Sequence, residues 1–199
     1  MRIALIRHGE TDWNVQGLLQ GRSDIPLNGL GLAQAEDAAR LLVGGGWERL
    51  YASPLGRARR TAEIIGRATG LGEPALVDGL VERSFGDLEG EPYWLPDGTR
   101  RPLDDPSIEP VAEVAARART ALDAIVHDGS GSDAIVVCHG TIIRMFLDTL
   151  MGGEAPRIAN LGLSIVEHDG AADDDYRVVL ANGYPLSPVS AAARAAALA

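Results

Sequence analysis

The sequence predicts an α/β fold: three layers, with a mostly parallel central sheet flanked by helices on both faces. Short, wholly apolar runs such as "IALI" at residues 3–6 and "AIVV" at residues 134–137 suit strands buried on both sides. Segments with helical spacing of apolar residues lie between such runs, so strand and helix alternate along the chain. At 199 residues and 46% hydrophobic content, the chain fills one sizeable core, and a single domain over residues 1–199 is expected.

The elements follow in order. "IALI" forms the first strand, and Gly9 breaks it just after Arg7 and His8. "NGLGLAQAEDAARLLVGGG" is a helix with Asn28 as its cap, Leu32, Ala35, Ala39 and Leu42 on one face, and glycines as its stop. "RLYASP" is a short strand, and "PLGRARRTAEIIGRATG" a helix opened by Pro54 and closed near Gly70. A further helix runs from about Glu109 to His127. "AIVVCHG" is a second buried strand ending in His-Gly, followed by the amphipathic helix "TIIRMFLDTLMGG". "LSIVEHD" and "YRVVLANG" are late strands that close the sheet. The Pro- and Gly-rich stretch at residues 91–110 has no periodicity and reads as an inserted loop or lid, and the low-complexity tail at 188–199 as a terminal helix or a frayed end.

Composition excludes several classes of function. A net charge of -10 argues against nucleic-acid and anionic-membrane surfaces. One cysteine, Cys138, allows neither an internal disulfide nor a cysteine zinc cage and fits a reducing, cytoplasmic setting. No run is long enough to span a membrane. All 18 cationic side chains are arginine, so lysine Schiff bases and lysine-bearing phosphate loops are excluded.

The two His-Gly pairs share one plan, an apolar strand running into histidine. If their strands are parallel neighbours, His8 and His139 meet at the carboxyl ends, where open α/β sheets bind ligands. Taken singly, each histidine is more often a loop or core residue than a catalyst. Cys138 reads as a small buried side chain, His127 and His168 as surface residues, Trp47 as packing, and Trp94 as a lid residue able to cover a ligand.

"LIRHGETDWN", "SPLGRARRTA", "VERSFGDLEG" and "VVCHGTIIR", in that order and at that spacing, resemble the histidine phosphatase superfamily, also called phosphoglycerate mutase-like, through about three quarters of the chain. The resemblance implies a metal-independent reaction without a cofactor on a small phosphorylated substrate. By it, His8 is the nucleophile that becomes a phosphohistidine, His139 the second histidine at the transferring group, and Glu82 the acid that serves the leaving alkoxide and the attacking water. It also implies that Arg7, Arg57 and Asn14 bind phosphate, and that Gln20 and Gly21 touch substrate. The chemistry agrees: a neutral imidazole attacks phosphorus, and guanidinium forks neutralise its oxygens.

Phosphatase and mutase share this machinery. In the mutase branch the acid motif resembles "ERxYG" and is followed by a substrate-binding lysine. This chain has Phe85 and Tyr93 at the corresponding places, no lysine at all, and a short insertion. A phosphatase is therefore expected, with a cofactor-dependent phosphoglycerate mutase as the alternative, because "TRRPLDDP" is similar to the mutase arginine pair. Arg100 and Arg101 there either meet a second negative charge on the substrate or face solvent beside Asp104 and Asp105. A silent phospho-ligand binder is a weaker alternative, since it has no need of the histidine pair, both arginines and the acid at once, and so is a metal-dependent hydrolase, since nothing forms an HxH or HExxH spacing. A homodimer stays open.

Overall fold

The computed structural model describes residues 1–128, 131–153, 155–169 and 176–185, so the tail at 188–199 lies outside the described residues. The strands are β1 (Arg2–Arg7), β2 (Arg49–Ala52), β3 (Ala75–Leu76), β4 (Ala134–Cys138), β5 (Leu163–His168), β6 (Tyr176–Ala181) and β7 (Tyr184–Pro185). They form one sheet in the order β3-β2-β4-β1-β5-β6-β7. β1 to β4 are mutually parallel, while the late strands join by antiparallel pairings.

Period-two alternation sorts the strand side chains between two cores. Ile3, Leu5, Val136 and Cys138 point to one face, where they pack under α4 (Val111–Asp128) and α5 (Gly140–Met151). Ala4, Ile6, Ile135 and Val137 point to the other, under α2 (Gly29–Leu42) and α3 (Gly56–Thr69). β4 is buried along its whole length, which is why its sequence is continuously apolar.

The α2 face differs from the expected one. Gly31, Ala35, Ala39 and Leu42 are buried, while Leu32 is 36% exposed. The reason is backbone proximity: α2 sits so close to the β1 loop that glycine alone fits at its first turn. A Cβ on Gly31 would lie 2.1 Å from the Glu10 carbonyl oxygen, and one on Gly9 would lie 2.4 Å from the Gly31 oxygen. Gly31→Ala should therefore destabilise the protein by about 1–3 kcal/mol, lowering the calorimetric Tm by roughly 3–10 °C. An unchanged Tm would mean that the two backbones separate freely.

Sequence periodicity gives no sign of the five-residue α1 (Asp12–Gln16), which a capping box between Thr11 and Asn14 holds. Nor is the lid shapeless. Gly17–Leu19 exchange backbone hydrogen bonds with Gly90–Tyr93, and Trp94 bridges to Arg100 across a tight turn. Beneath it, Leu19, Phe85 and Ile108 form a small core of their own, with Tyr93 and Leu103 packed against it. His168, expected at the surface, is 6% exposed, with its ring edge-on to Tyr176.

Candidate active site

The parallel register of β1 with β4 pairs Arg7 with Cys138, and the His8 N–H donates to the Cys138 carbonyl at 3.0 Å. His8 and His139 thereby leave their strands side by side, with ring centroids 5.2 Å apart. Ser53, at the end of β2, joins them: its Oγ is 2.8 Å from His139 Nε2.

His8 is held in one tautomer. Its Nδ1 lies 2.7 Å from the Gly9 carbonyl oxygen, which can only accept, so Nδ1 carries the proton and Nε2 the lone pair. Arg57 Nε, 3.2 Å away, donates to that lone pair. Burial, then the charges of Arg7 and Arg57, push the His8 pKa well below the ordinary histidine range. His139 is fully buried behind the cavity wall, and burial followed by the charge of Arg57 lowers its pKa likewise. Its Nδ1 has no hydrogen-bond partner in the protein.

Keeping two histidines neutral makes folding pH-dependent. The unfolded chain takes up protons below its ordinary histidine pKa of about 6.5, where the native sites do not, so stability falls as pH drops through that value. The loss is at most about 1.4 kcal/mol per pH unit for each histidine. Urea midpoints should fall between pH 7 and pH 5.5, and more steeply than in His139→Gln. Parallel curves for the two proteins would show that His139 is not the group responsible.

The 1% exposed Arg57 reaches in from the first turn of α3, donating through Nη1 to the Ser23 carbonyl at 2.8 Å and through Nη2 to the Gly21 carbonyl at 2.7 Å. Arg59 and Arg60, its neighbours in sequence, pair with Glu63 on the exposed face. Arg7 donates to the Ile158 carbonyl at 2.9 Å, and burial lowers its pKa to about 10, with Glu82 opposing the shift. It stays cationic at neutral pH.

Glu82 is 8% exposed and accepts from the backbone N–H groups of Arg83 at 2.8 Å and of Thr141 at 3.3 Å. Asn14 Oδ1 accepts from Thr11 N–H and from Asn160 Nδ2, so its amide presents its donor end to the cavity. Gln20 and Gly21 line the wall on a loop held by Glu89, whose carboxylate takes the N–H groups of Arg22 and Ser23. Gly21 has φ +53, and a Cβ there would lie 2.0 Å from Glu89 Oε1. Cys138 is buried, which pushes its thiol up to about 12.

The cavity has a volume of about 230 Å³, and Arg7, His8, Asn14, Arg57 and Glu82 all line it. Tyr93, Trp94, Arg100 and Leu103 of the lid close one side. Arg101 corrects the expectation of a second substrate-facing arginine there. It turns away to pair with Glu91 at 2.9 Å and with the Pro92 carbonyl, which hold the lid strand. Sequence reasoning missed Arg83, Arg144 and Arg157, which also line the cavity, and Ser53 and Asn160, which hold its groups. Among the described residues no cluster of histidine, cysteine and acids suits a metal, and no helix is long and apolar enough to cross a membrane.

Residues 3–180 match the family model described as Histidine phosphatase superfamily (branch 1). The chain belongs to that superfamily. Within it, the chain is 36% identical over 183 residues to the uncharacterized phosphatase PhoE of Bacillus subtilis (strain 168), covering 88% of this chain and 91% of that one. It is 34% identical over 184 residues to the probable phosphoglycerate mutase GpmB of Serratia proteamaculans (strain 568), covering 84% and 85%. Among solved structures, a phosphoserine phosphatase mutant from Entamoeba histolytica in complex with phosphoserine superposes with a TM-score of 0.77 at 26% identity, covering 92% and 97%. This member of the superfamily therefore has relatives described as phosphatases and relatives described as probable phosphoglycerate mutases.

Proposed function

We propose that the chain is a metal-independent phosphatase that hydrolyses a small phosphorylated metabolite through a phosphohistidine at His8. The observation that carries this reading is the state of His8, a residue of the cavity wall: its proton is fixed on Nδ1 by the Gly9 carbonyl, and the lone pair on Nε2 is held by Arg57 Nε. A neutral, pre-aimed imidazole is what attack on phosphorus requires.

In the first step His8 Nε2 forms a bond to phosphorus while the bond from phosphorus to the substrate oxygen breaks. Arg7 and Arg57 take the charge on the non-bridging oxygens, so no metal need supply it. Asn14 adds a neutral donor, and His139, buried directly behind His8 with ring centroids 5.2 Å apart, backs the nucleophile from the second strand. Glu82, at the cavity wall, gives a proton to the departing oxygen. In the second step Glu82 takes a proton from water, the water oxygen bonds to phosphorus, and the bond from phosphorus to nitrogen breaks, releasing inorganic phosphate and restoring His8.

A phosphoglycerate mutase is the second reading, favoured by the Serratia relative. The lack of any lysine and the Phe85 in the acid motif weigh against it. Phosphate release from a panel of phosphorylated metabolites, with and without chelator, decides between them. The panel includes 3-phosphoglycerate with its bisphosphate cofactor, also assayed for 2-phosphoglycerate. Chelator-resistant phosphate release is the expected result. Isomerisation without net release would make the chain a mutase, and loss of activity in chelator would overturn the metal-free mechanism.

A further inference from the structure

Six of the chain's 18 cationic residues line this one cavity: Arg7, Arg57, Arg83, Arg100, Arg144 and Arg157. Glu82 is the only acid among the lining residues. For a chain of net charge -10, that is a sharp local reversal of sign.

The six fall into two sets. Arg7, Arg57 and Arg83 are anchored on backbone carbonyls, those of Ile158, Gly21 with Ser23, and Glu109 respectively. The first two surround His8 and are used up by one phosphoryl group. Arg144, on the first turns of α5, and Arg157, in the segment after it, have no hydrogen bond or ion pair among the described residues, where Arg100 rests on the rings of Tyr93 and Trp94. Elsewhere arginines of this chain sit in ion pairs, as Arg117 does with Glu109 at 2.7 Å and Arg119 with Asp123 at 2.8 Å. The outer set also presses on the inner one: burial lowers the pKa of Arg7 and of Arg83, and the charges of Arg157 and Arg144 respectively lower them further. Arginines gathered at one mouth without an ion-pair partner among the described residues are a site for an anion that arrives with the ligand.

We infer that the substrate carries a second anionic group, a carboxylate or a phosphate, away from the transferred phosphoryl, and that Arg144 and Arg157 hold it while Arg100 approaches from the lid. This rests on the phosphatase reading above and narrows its substrate class.

Two matched pairs of compounds test it: glycerol 3-phosphate against 3-phosphoglycerate, which adds a carboxylate, and fructose 6-phosphate against fructose 1,6-bisphosphate, which adds a phosphate. In each pair kcat/KM is measured for the native chain, Arg144→Gln and Arg157→Gln. Both arginines are exposed, so the variants leave the core intact. The native chain should prefer the doubly anionic member of at least one pair by about 10- to 100-fold, and each variant should lose most of that ratio. The pair with the larger ratio says whether the group is carboxylate or phosphate. A ratio near one in both pairs, or a ratio that both variants keep, overturns the inference while leaving the phosphatase reading standing. If the native chain hydrolyses none of the four, the phosphatase reading falls and calorimetric Kd values supply the ratios. A preference lost in the variants then still upholds the arginine site, and equal Kd values overturn it.

Discussion

His8→Ala is expected to lower kcat by on the order of 10⁴-fold or more, the scale seen when a covalent nucleophile is removed and only the binding and charge-stabilising groups remain. The argument is geometric. Among the described residues His8 is the histidine that lines the cavity, with its lone pair on Nε2, whereas His139 is walled off behind it. No cysteine replaces it, since Cys138 is buried with its thiol held protonated, and lysine is absent. Substrate binding should survive, because Arg7 and Arg57 are anchored on backbone carbonyls rather than on His8 alone. Steady-state phosphate release measures the first effect and calorimetry the second. In addition, brief reaction with radiolabelled substrate followed by an alkaline quench should label the native chain and leave the variant unlabelled. A variant that keeps even a tenth of native turnover would remove His8 from the chemistry.

The next largest effect belongs to Arg57. Its guanidinium does three things at once: Nε touches His8 Nε2, while Nη1 and Nη2 tie down the Ser23 and Gly21 carbonyls of the neighbouring loop. Lysine has one nitrogen on a flexible stem and cannot span all three. Arg57→Lys should therefore cost about 10²- to 10³-fold in kcat, close to the loss in Arg57→Met, as expected for a charge-stabilising donor. A second signature follows from sign. The Arg57 charge helps to depress the His8 pKa. Its removal in Arg57→Met raises that pKa, so the acid limb of the kcat/KM profile should move to higher pH. Full activity in Arg57→Lys, or an acid limb that stays in place in Arg57→Met, would contradict this role.

What the sequence made legible was whatever rests on local pattern. The strands around Ile3–Ile6 and Ala134–Val137 are readable because burial on both faces demands unbroken apolar runs, and both His-Gly pairs stand at the ends of those runs. Arg57 could be separated from Arg59 and Arg60 only by its resemblance to a family motif, since helical spacing alone does not say which arginine turns inward. Arg144 and Arg157 had no such signal. Arg144 sits at an ordinary polar position of an amphipathic helix, and only the docking of α5 against β1 and β4 points it at His8's cavity. Arg100 and Arg101 are adjacent, and opposite directions along the lid strand separate them: one stacks on Trp94 and the other pairs with Glu91. Leu32 was assigned inward because it is apolar, whereas the approach of Gly31 to Glu10 set the helix rotation.

The parallel pairing of β1 with β4 has a temporal meaning as well. Its two strands pair Ile3 with Ala134, with three β–α crossings between them, so their registration is a distant contact for the chain to make. Contacts of that kind form late, after nearer ones have shortened the effective loop. Secondary structure and much of the α2 and α3 face can be in place while His8 and His139 are still apart. During refolding, the meeting of the two histidines is therefore a clock for a late, large-scale event, and a nascent chain that has not yet delivered β4 holds His8 with no partner strand to aim it.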